Sequence, residues 1–135
     1  MVAATDEKHV HILLYSDDAD LRQAVKNAIG IRPAKDMPRV AWVEAATADG
    51  AIMKFEENTI DLIIADGETQ KVGGMALLRR IEIEYEKLPP SLVLIARQQD
   101  EWLAKFAGTT AVLATPLDPI DLADSVTALL KDANV

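Results

Sequence analysis

The stretch that decides the fold is DLIIADG, residues 61–67, in which a short apolar run ends at a carboxylate and a glycine. Four consecutive apolar residues are typical of a strand that is covered on both faces, and Asp66 would lie at its carboxyl end. A second apolar run, residues 10–15, also ends in acid, with the sequence SDD at residues 16–18. Two buried strands that end in carboxylates predict a shared acidic cleft.

Three further apolar runs have the length of strands and lie at residues 40–43, 92–96 and 111–114. Each of the five runs is followed by a segment with apolar residues at helical spacing. These helical segments are residues 21–29, 48–55, 77–88, 100–106 and 120–130. The regular alternation predicts a doubly wound parallel sheet of five strands with five helices on its two faces. Residues 31–39 contain two prolines and predict a longer surface loop.

Composition restricts the class of protein. The chain has 135 residues, 50% of them hydrophobic, and a formal net charge of −8. This length suits one globular domain over residues 1–135, with its core in residues 10–131 and no output domain. The acidic balance argues against nucleic acid and anionic membranes as partners. The chain has no cysteine, no apolar signal segment and no run long enough to span a membrane, so we expect a cytoplasmic protein.

The two acidic strand ends define the expected site. In an open α/β sheet, ligands bind beyond the carboxyl ends of the strands, where the strand order reverses. In the order 2-1-3-4-5, strands one and three are neighbours, so Asp17, Asp18 and Asp66 should converge. Clustered carboxylates suit a hard divalent cation such as Mg²⁺. An aspartate beside such a cation can act as a nucleophile and accept a phosphoryl group.

Four segments, in this order and spacing, resemble the receiver domain of bacterial two-component response regulators. They are residues 11–22, 61–81, 92–102 and 111–122. The resemblance spans about residues 10 to 131 and implies a flavodoxin-like fold. The long loop before strand two and the GGM segment are also similar to small stand-alone atypical receivers of actinobacteria.

The resemblance implies roles for four residues of the acidic cleft. Asp66 matches the phosphoacceptor aspartate, and Asp17 matches the second residue of the acidic pair that holds Mg²⁺. Glu68 lies where the family contributes a backbone carbonyl to the metal, and its side chain is a further candidate. The first residue of the acidic pair is Ser16, an uncharged and weaker ligand. Any catalysis would be limited to self-phosphorylation and dephosphorylation at Asp66.

Three positions depart from the family pattern around the phosphoryl site. Ile95 replaces the hydroxyl residue that ends strand four, and Thr115 replaces the lysine before the loop proline, Pro116. Val112 replaces the aromatic switch residue of strand five. Loss of the positioned lysine should cost on the order of a few kcal/mol of transition-state stabilisation. The departures predict that phosphorylation of Asp66 is weak, absent or uncoupled from switching.

For several residues the sequence allows two roles, one in the site and one in the structure. Arg97 begins the loop after strand four and either reaches over the cleft or is a solvated loop residue. Asp18 suits the N-cap of the first helix better than a metal site. His9 and His11 fit exposed strand-end positions better than a metal pair, because no third ligand is evident. The family's cis peptide would fall between Thr115 and Pro116.

The expected function is that of an atypical stand-alone receiver that acts as a protein-interaction module. Its interaction face would be the fourth helix, fifth strand and fifth helix, with Trp102, Lys105, Val112 and Asp121. The same face would serve a homodimer if the protein is not a monomer. The first alternative is a conventional receiver that takes phosphate from a histidine kinase with Mg²⁺. The second is a small nucleotide or flavin binder, which is disfavoured because acid follows strand one where a phosphate loop is needed.

Overall fold

The structure is a computed structural model that describes residues 9–86, 88–97 and 111–133. Strands and helices alternate along the described chain from the first strand to the fourth. The strands are β1 His9–Tyr15, β2 Arg39–Ala45, β3 Leu62–Asp66, β4 Ser91–Ile95 and β5 Ala111–Ala114. The helices are α1 Ala19–Ile29, α2 Ala48–Glu57, α3 Gly74–Tyr85 and α4 Pro119–Asp132.

The five strands form one parallel sheet in the order β2-β1-β3-β4-β5. This order confirms the flavodoxin-like architecture that the sequence predicts. Strands β1 and β3 are neighbours, and Tyr15 at the end of β1 pairs with Ala65 in β3. The residues that follow these two positions, Ser16 and Asp66, therefore lie side by side at the carboxyl edge of the sheet.

The central strands are apolar throughout because both faces of the sheet are covered. On one face, Ile12, Leu14 and Ile64 pack with α1 and α4 in one buried cluster. On the other, Leu13 and Ile63 pack with α2 and α3 in a second cluster. All five of these side chains are at most 1% exposed, and each contributes about 1.5–3 kcal/mol through removal from water.

The sequence predicts five helices, whereas the described residues contain four. The candidate at residues 100–106 lies outside the described residues, as do Trp102 and Lys105. Helix α3 ends at Tyr85 instead of residue 88, since Glu86 adopts a left-handed backbone with φ 54°. None of the described helices is long and apolar enough to cross a membrane.

Two helices begin at aspartate caps. The Oδ1 atom of Asp18 accepts hydrogen bonds from the N–H groups of Asp20 at 2.9 Å and Leu21 at 3.2 Å. This confirms Asp18 as the N-cap of α1. Asp118 caps α4 in the same way, with Pro119 in the first turn. Both caps satisfy backbone donors that a helix start leaves without partners.

Candidate functional site

The centre of the candidate site is a hydrogen bond between the ends of β1 and β3. Asp66 is the last residue of β3 and only 6% of it is exposed, while Ser16 directly follows β1 and is 1% exposed. The Ser16 hydroxyl donates to Asp66 Oδ2 over 2.7 Å, and its oxygen accepts the N–H of Asp18 over 3.0 Å. The structure thus brings the predicted nucleophile and the serine of the acidic turn into direct contact.

The second oxygen of Asp66 is also occupied. Asp66 Oδ1 accepts the backbone N–H of Glu68 over 2.8 Å. The side chain of Glu68 is exposed. Both carboxylate oxygens of Asp66 therefore have hydrogen-bond donors from the protein, which compensates for burial of the carboxylate.

Asp17 lies at the rim of the site and contacts the β3–α3 loop. Its Oδ2 atom accepts the N–H of Gln70 over 3.1 Å, and its own N–H donates to Thr69 Oγ1 over 3.4 Å. Thr69 is buried although it lies in a loop. The buried Thr69 and its bond to Asp17 were not expected from the sequence, because the two residues are far apart along the chain.

Tyr15 is a further residue that the motif comparison does not identify. It is fully buried at the end of β1, and its hydroxyl donates to the carbonyl oxygen of Val72 over 2.6 Å. Burial raises the pKa of the Tyr15 phenol, and the negative charges of Asp17 and Asp66 raise it further. Its only signal in the sequence is a tyrosine that ends an otherwise aliphatic run.

We use the name β1–loop clasp for the three hydrogen bonds that join the end of β1 to the β3–α3 loop. They are the bonds from Tyr15 to Val72, from Asp17 to Thr69 and from Gln70 to Asp17. The clasp fixes the loop beside Asp66. It also uses one oxygen of the Asp17 carboxylate for structure.

Gly74 allows α3 to start directly against β3. A Cβ atom at this position would lie 2.8 Å from the Cβ of Ala65 and 2.8 Å from the carbonyl oxygen of Asp66. Only glycine permits this close approach of the two backbones. Close packing of α3 against β3 therefore accounts for the glycine at position 74.

Two of the residues that depart from the family pattern, Ile95 and Thr115, lie at the ends of β4 and β5. Ile95 is buried at the end of β4 and offers no side-chain hydrogen-bond donor. The Thr115 hydroxyl donates to the carbonyl oxygen of Ile95 over 3.3 Å, and the Thr115 N–H donates to the same oxygen over 2.8 Å. The hydroxyl thus joins β5 to β4. The peptide between Thr115 and Pro116 is cis.

The remaining candidates are spread over other elements of the fold. Arg97 is exposed in the turn that follows β4, and Asp121 is exposed in the first turn of α4. Val112 is half-buried in β5 and packs against the cluster under α2 and α3. His9 is exposed, whereas His11 is half-buried and donates its backbone N–H to Asp61 over 2.8 Å.

A divalent cation at this edge would use Asp66, Asp17 and the carbonyl of Glu68. Within the described parts of the chain, no group of three or more His, Asp or Glu residues is arranged to hold a metal ion. Both oxygens of Asp66 and one of Asp17 already accept hydrogen bonds. The residues present do not fit a pre-formed Mg²⁺ site, since two carboxylates stand where three are expected and three of their four oxygens already accept hydrogen bonds.

Comparison with known sequences identifies the family. An uncharacterised response regulatory protein of Mycobacterium tuberculosis, matched in strains CDC 1551 and H37Rv, is 38% identical over 122 residues. The match covers 90% of this chain and 92% of the relative. This chain belongs to the response regulator family. No protein-family model matches it.

Solved structures agree with the receiver fold of this response regulator. The receiver domain of the Francisella response regulator 1452 superimposes with a TM-score of 0.78 at 19% identity, over 92% of this chain and 98% of that chain. A response regulator receiver domain protein of Clostridium thermocellum gives a TM-score of 0.77 at 22% identity, over 93% and 97%. Family membership leaves the nucleotide- or flavin-binding alternative without support.

Proposed function

We propose that this response regulator is an atypical stand-alone receiver that signals by binding a partner protein. In this proposal, phosphorylation of Asp66 is weak, absent or uncoupled from conformational switching. The single observation that carries the proposal is the 2.7 Å hydrogen bond from Ser16 to Asp66. It places a neutral donor where a metal-binding acid is expected.

In this proposal, Ser16 changes both the charge and the geometry of the site at which Mg²⁺ would bind. Receiver domains generally use Mg²⁺ at the phosphorylation site. A hydroxyl supplies no charge to attract the cation, and here its proton is directed at the oxygen that a cation would contact. A hydrogen bond to a charged group contributes about 1.5–3 kcal/mol, and cation binding would have to replace this contact. Weak metal binding lowers the rate of phosphoryl transfer, which depends on charge neutralisation.

The residues that transmit phosphorylation to the rest of the domain in this family are also different in this chain. Ile95 has no hydroxyl to bond a phosphoryl oxygen, and Val112 has no ring to move between two rotamers. Thr115 is bonded to the backbone of β4. A phosphoryl group on Asp66 would therefore lack the usual contacts through which it changes the opposite face.

The partner in this proposal is a protein. Receiver domains interact with histidine kinases and other proteins. The proposed face contains Val112 and Asp121, together with Trp102 and Lys105, which lie outside the described residues. The net charge of −8 disfavours nucleic acid and anionic membranes. A homodimer would use the same face.

A conventional receiver is the second candidate. The observation that favours it is the buried Asp66 at the end of β3 with Asp17 nearby on the neighbouring strand end. Such a receiver would accept phosphate from a histidine kinase with Mg²⁺. It would require Mg²⁺ to displace the Ser16 hydroxyl from Asp66.

Phosphorylation by a small donor separates the two candidates. The wild type and Ser16→Asp are incubated with acetyl phosphate and Mg²⁺, and the phosphorylated fraction is followed by intact mass. We expect slow, substoichiometric labelling of the wild type. Ser16→Asp should accelerate labelling by about tenfold or more, because it restores the missing charge and removes the donor from Asp66. Asp66→Asn is the control that removes the acceptor.

Rapid and stoichiometric labelling of the wild type would contradict the proposal and support the conventional receiver. The partner function is tested by a pull-down with wild type, Asp66→Asn and Asp66→Glu. We expect the same partner to be captured by all three proteins. Loss of the partner in Asp66→Asn would show that output depends on the carboxylate.

A further inference from the structure

Arg22 in helix α1 holds the main chain of Ser16, the residue that bonds Asp66. The Nη1 atom of Arg22 donates to the carbonyl oxygen of Ser16 over 2.6 Å. The backbone N–H of Arg22 donates to the carbonyl oxygen of Asp18 over 3.0 Å, so Arg22 lies one helical turn beyond the N-cap. Because helical side chains lean toward the N-terminus of their helix, a residue at this position reaches back over the acidic turn of residues 16–18.

The same guanidinium is anchored on β2. Arg22 Nε donates to Glu44 Oε1 over 3.1 Å, and the Arg22 side chain is only 19% exposed. A guanidinium presents its donors in a rigid planar fork, so bonds to two different segments fix its position. The end of β1, through Ser16, and the strand β2, through Glu44, are therefore joined by one side chain of α1.

Both main-chain groups and the hydroxyl of Ser16 are hydrogen-bonded. The N–H donates to Ala45 O over 3.1 Å, and the carbonyl oxygen accepts from Arg22. The hydroxyl donates to Asp66 over 2.7 Å and accepts the N–H of Asp18 over 3.0 Å. The bond from Arg22 is the one that a substitution outside the site can remove, since the others use main-chain groups or Asp66 itself.

We infer that Arg22 is a positioning residue of the candidate site, which fixes the main chain of Ser16 and so keeps the Ser16 hydroxyl against Asp66. The inference rests on the proposed function, in which this hydroxyl is directed at the carboxylate oxygen that Mg²⁺ would contact. Without the Arg22 bond the main chain of Ser16 is less restrained, and the hydroxyl leaves Asp66 more readily. Arg22 therefore acts on Asp66 through Ser16 and keeps phosphorylation slow.

Lys26 is a matched control for the ion pair. Lys26 Nζ donates to Glu44 Oε2 over 2.9 Å, and its side chain is 26% exposed. Within the described residues its bond reaches Glu44 and not the acidic turn. Arg22→Gln and Lys26→Gln each remove one cation from Glu44, but only Arg22→Gln also removes the bond to Ser16. A role confined to the ion pairs predicts similar effects of the two substitutions, whereas positioning of Ser16 predicts an effect of Arg22→Gln alone.

The first measurement is amide hydrogen exchange by NMR without Mg²⁺. The N–H of Asp18 donates to the Ser16 hydroxyl oxygen, so its exchange reports on the position of that hydroxyl. We expect Arg22→Gln to accelerate exchange at Asp18 by about fivefold, the factor by which one typical hydrogen bond changes an equilibrium. Lys26→Gln should leave this exchange unchanged. The amide of Glu68, which bonds the other oxygen of the site carboxylate, is the internal reference and should not change.

The second measurement is phosphorylation of Asp66 by acetyl phosphate with Mg²⁺, followed by intact mass. We expect Arg22→Gln to be labelled about fivefold faster than wild type and Lys26→Gln to be labelled at the wild-type rate. Arg22→Lys keeps the charge, but its single ammonium lacks the fork that bonds Ser16 and Glu44 together, so its rate should lie between the two. Folding of each variant is verified by circular dichroism, and Arg22→Lys carries the test if Arg22→Gln does not fold.

Ser16→Ala tests whether Arg22 acts through the hydroxyl. This variant lacks the donor to Asp66, so it should be labelled faster than wild type, and adding Arg22→Gln should change its rate no further. An equal acceleration by Arg22→Gln in both backgrounds would show that Arg22 acts by another route and would overturn the inference. Unchanged exchange at Asp18 in Arg22→Gln, or equal effects of Arg22→Gln and Lys26→Gln, would overturn it as well.

The outcomes separate this inference from the proposed function. If Ser16→Ala is labelled faster than wild type and Arg22→Gln is not, the role of Arg22 is overturned and the proposed function stands. If Ser16→Ala is labelled no faster than wild type, the proposed function fails. Exchange at Asp18 then still decides whether Arg22 positions Ser16, because that measurement needs neither Mg²⁺ nor phosphate.

Discussion

Ser16 changes the surroundings of Asp66 without changing the arrangement of the strands. The backbone still delivers Asp66 to the end of β3 and Ser16 to the end of β1. The hydroxyl then binds Asp66 over 2.7 Å and accepts the N–H of Asp18. The carboxylate of Asp66 therefore has an uncharged partner, and that partner is held by the N–H of Asp18 at the start of α1.

Tyr15 offers a direct test of the β1–loop clasp. Tyr15→Phe removes the hydroxyl that donates to Val72 O over 2.6 Å and leaves that carbonyl without its donor. We expect the free energy of unfolding to fall by about 1–3 kcal/mol, measured by urea denaturation. Tyr85→Phe is the matched control, because this tyrosine is only half-buried and has the Glu56 carboxylate nearby. A loss no larger than that of the control would show that the clasp contributes little.

At the scale of elements, the contact between β3 and α3 explains why the site is compact. Helix α3 begins at Gly74, and its backbone lies against Ala65 and Asp66. In the sequence, Gly73 and Gly74 stand shortly before the predicted helical segment of residues 77–88. The reason for the second glycine, close contact with the strand that carries Asp66, becomes visible only in three dimensions.

Gly74→Ala should therefore destabilise the protein although alanine favours helices. The added Cβ would lie 2.8 Å from Ala65 Cβ and from the Asp66 carbonyl oxygen. Overpacking of this kind costs about 1–3 kcal/mol, measured by urea denaturation. Ala76→Ser, on the exposed side of the same helix, should change stability by about 0.5 kcal/mol or less. Equal effects of the two substitutions would contradict the packing argument.

Across the whole molecule, apolar periodicity predicts the five strands and the four described helices, whereas the strand order follows from the resemblance to receiver domains. It predicts β2 over residues 40–43, whereas the strand is Arg39–Ala45. The extra residues are added by pairing with β1 along seven positions, which local composition does not reveal. Edge strands have weaker apolar signals because one side is open.

The sequence predicts where the candidate site lies but not the hydrogen bonds within it. The ends of β1 and β3 follow from the fold, so Asp66, Asp17 and Ser16 could be placed together. The bonds from Ser16 to Asp66 and from Tyr15 to Val72 join residues 50 and 57 positions apart. Such contacts depend on side-chain rotamers and loop paths, for which the sequence has no local pattern.

Glu44 predicts a pH dependence of the stability of the whole chain. Hydrogen bonds from Lys26 and then Arg22 hold the pKa of Glu44 below its ordinary value of 4.5, although partial burial acts in the opposite direction. A carboxylate with a lowered pKa stabilises the fold above its unfolded pKa and loses that effect as the pH falls through the folded value. These ion pairs join α1 to β2, the strand at the edge of the sheet.

The matched variant is Glu44→Gln. At pH 7 it should unfold with a free energy lower than wild type by about 1 kcal/mol or less, because the pair is partly exposed. At pH 3 the difference should shrink toward zero. A difference that persists unchanged at pH 3, by urea denaturation at both values, would rule out the charge as its cause.

The β1–loop clasp also has a kinetic consequence. A ligand that needs the Oδ2 atom of Asp17 binds only after the Gln70 N–H has released that atom, and the same opening strains the bonds to Thr69 and Val72. When such an opening precedes binding, the observed association rate rises with ligand concentration only until it reaches the opening rate. In stopped-flow experiments, the observed association rate should therefore reach a plateau as the Mg²⁺ concentration increases. Tyr15→Phe removes one bond of the clasp and should raise the rate at that plateau.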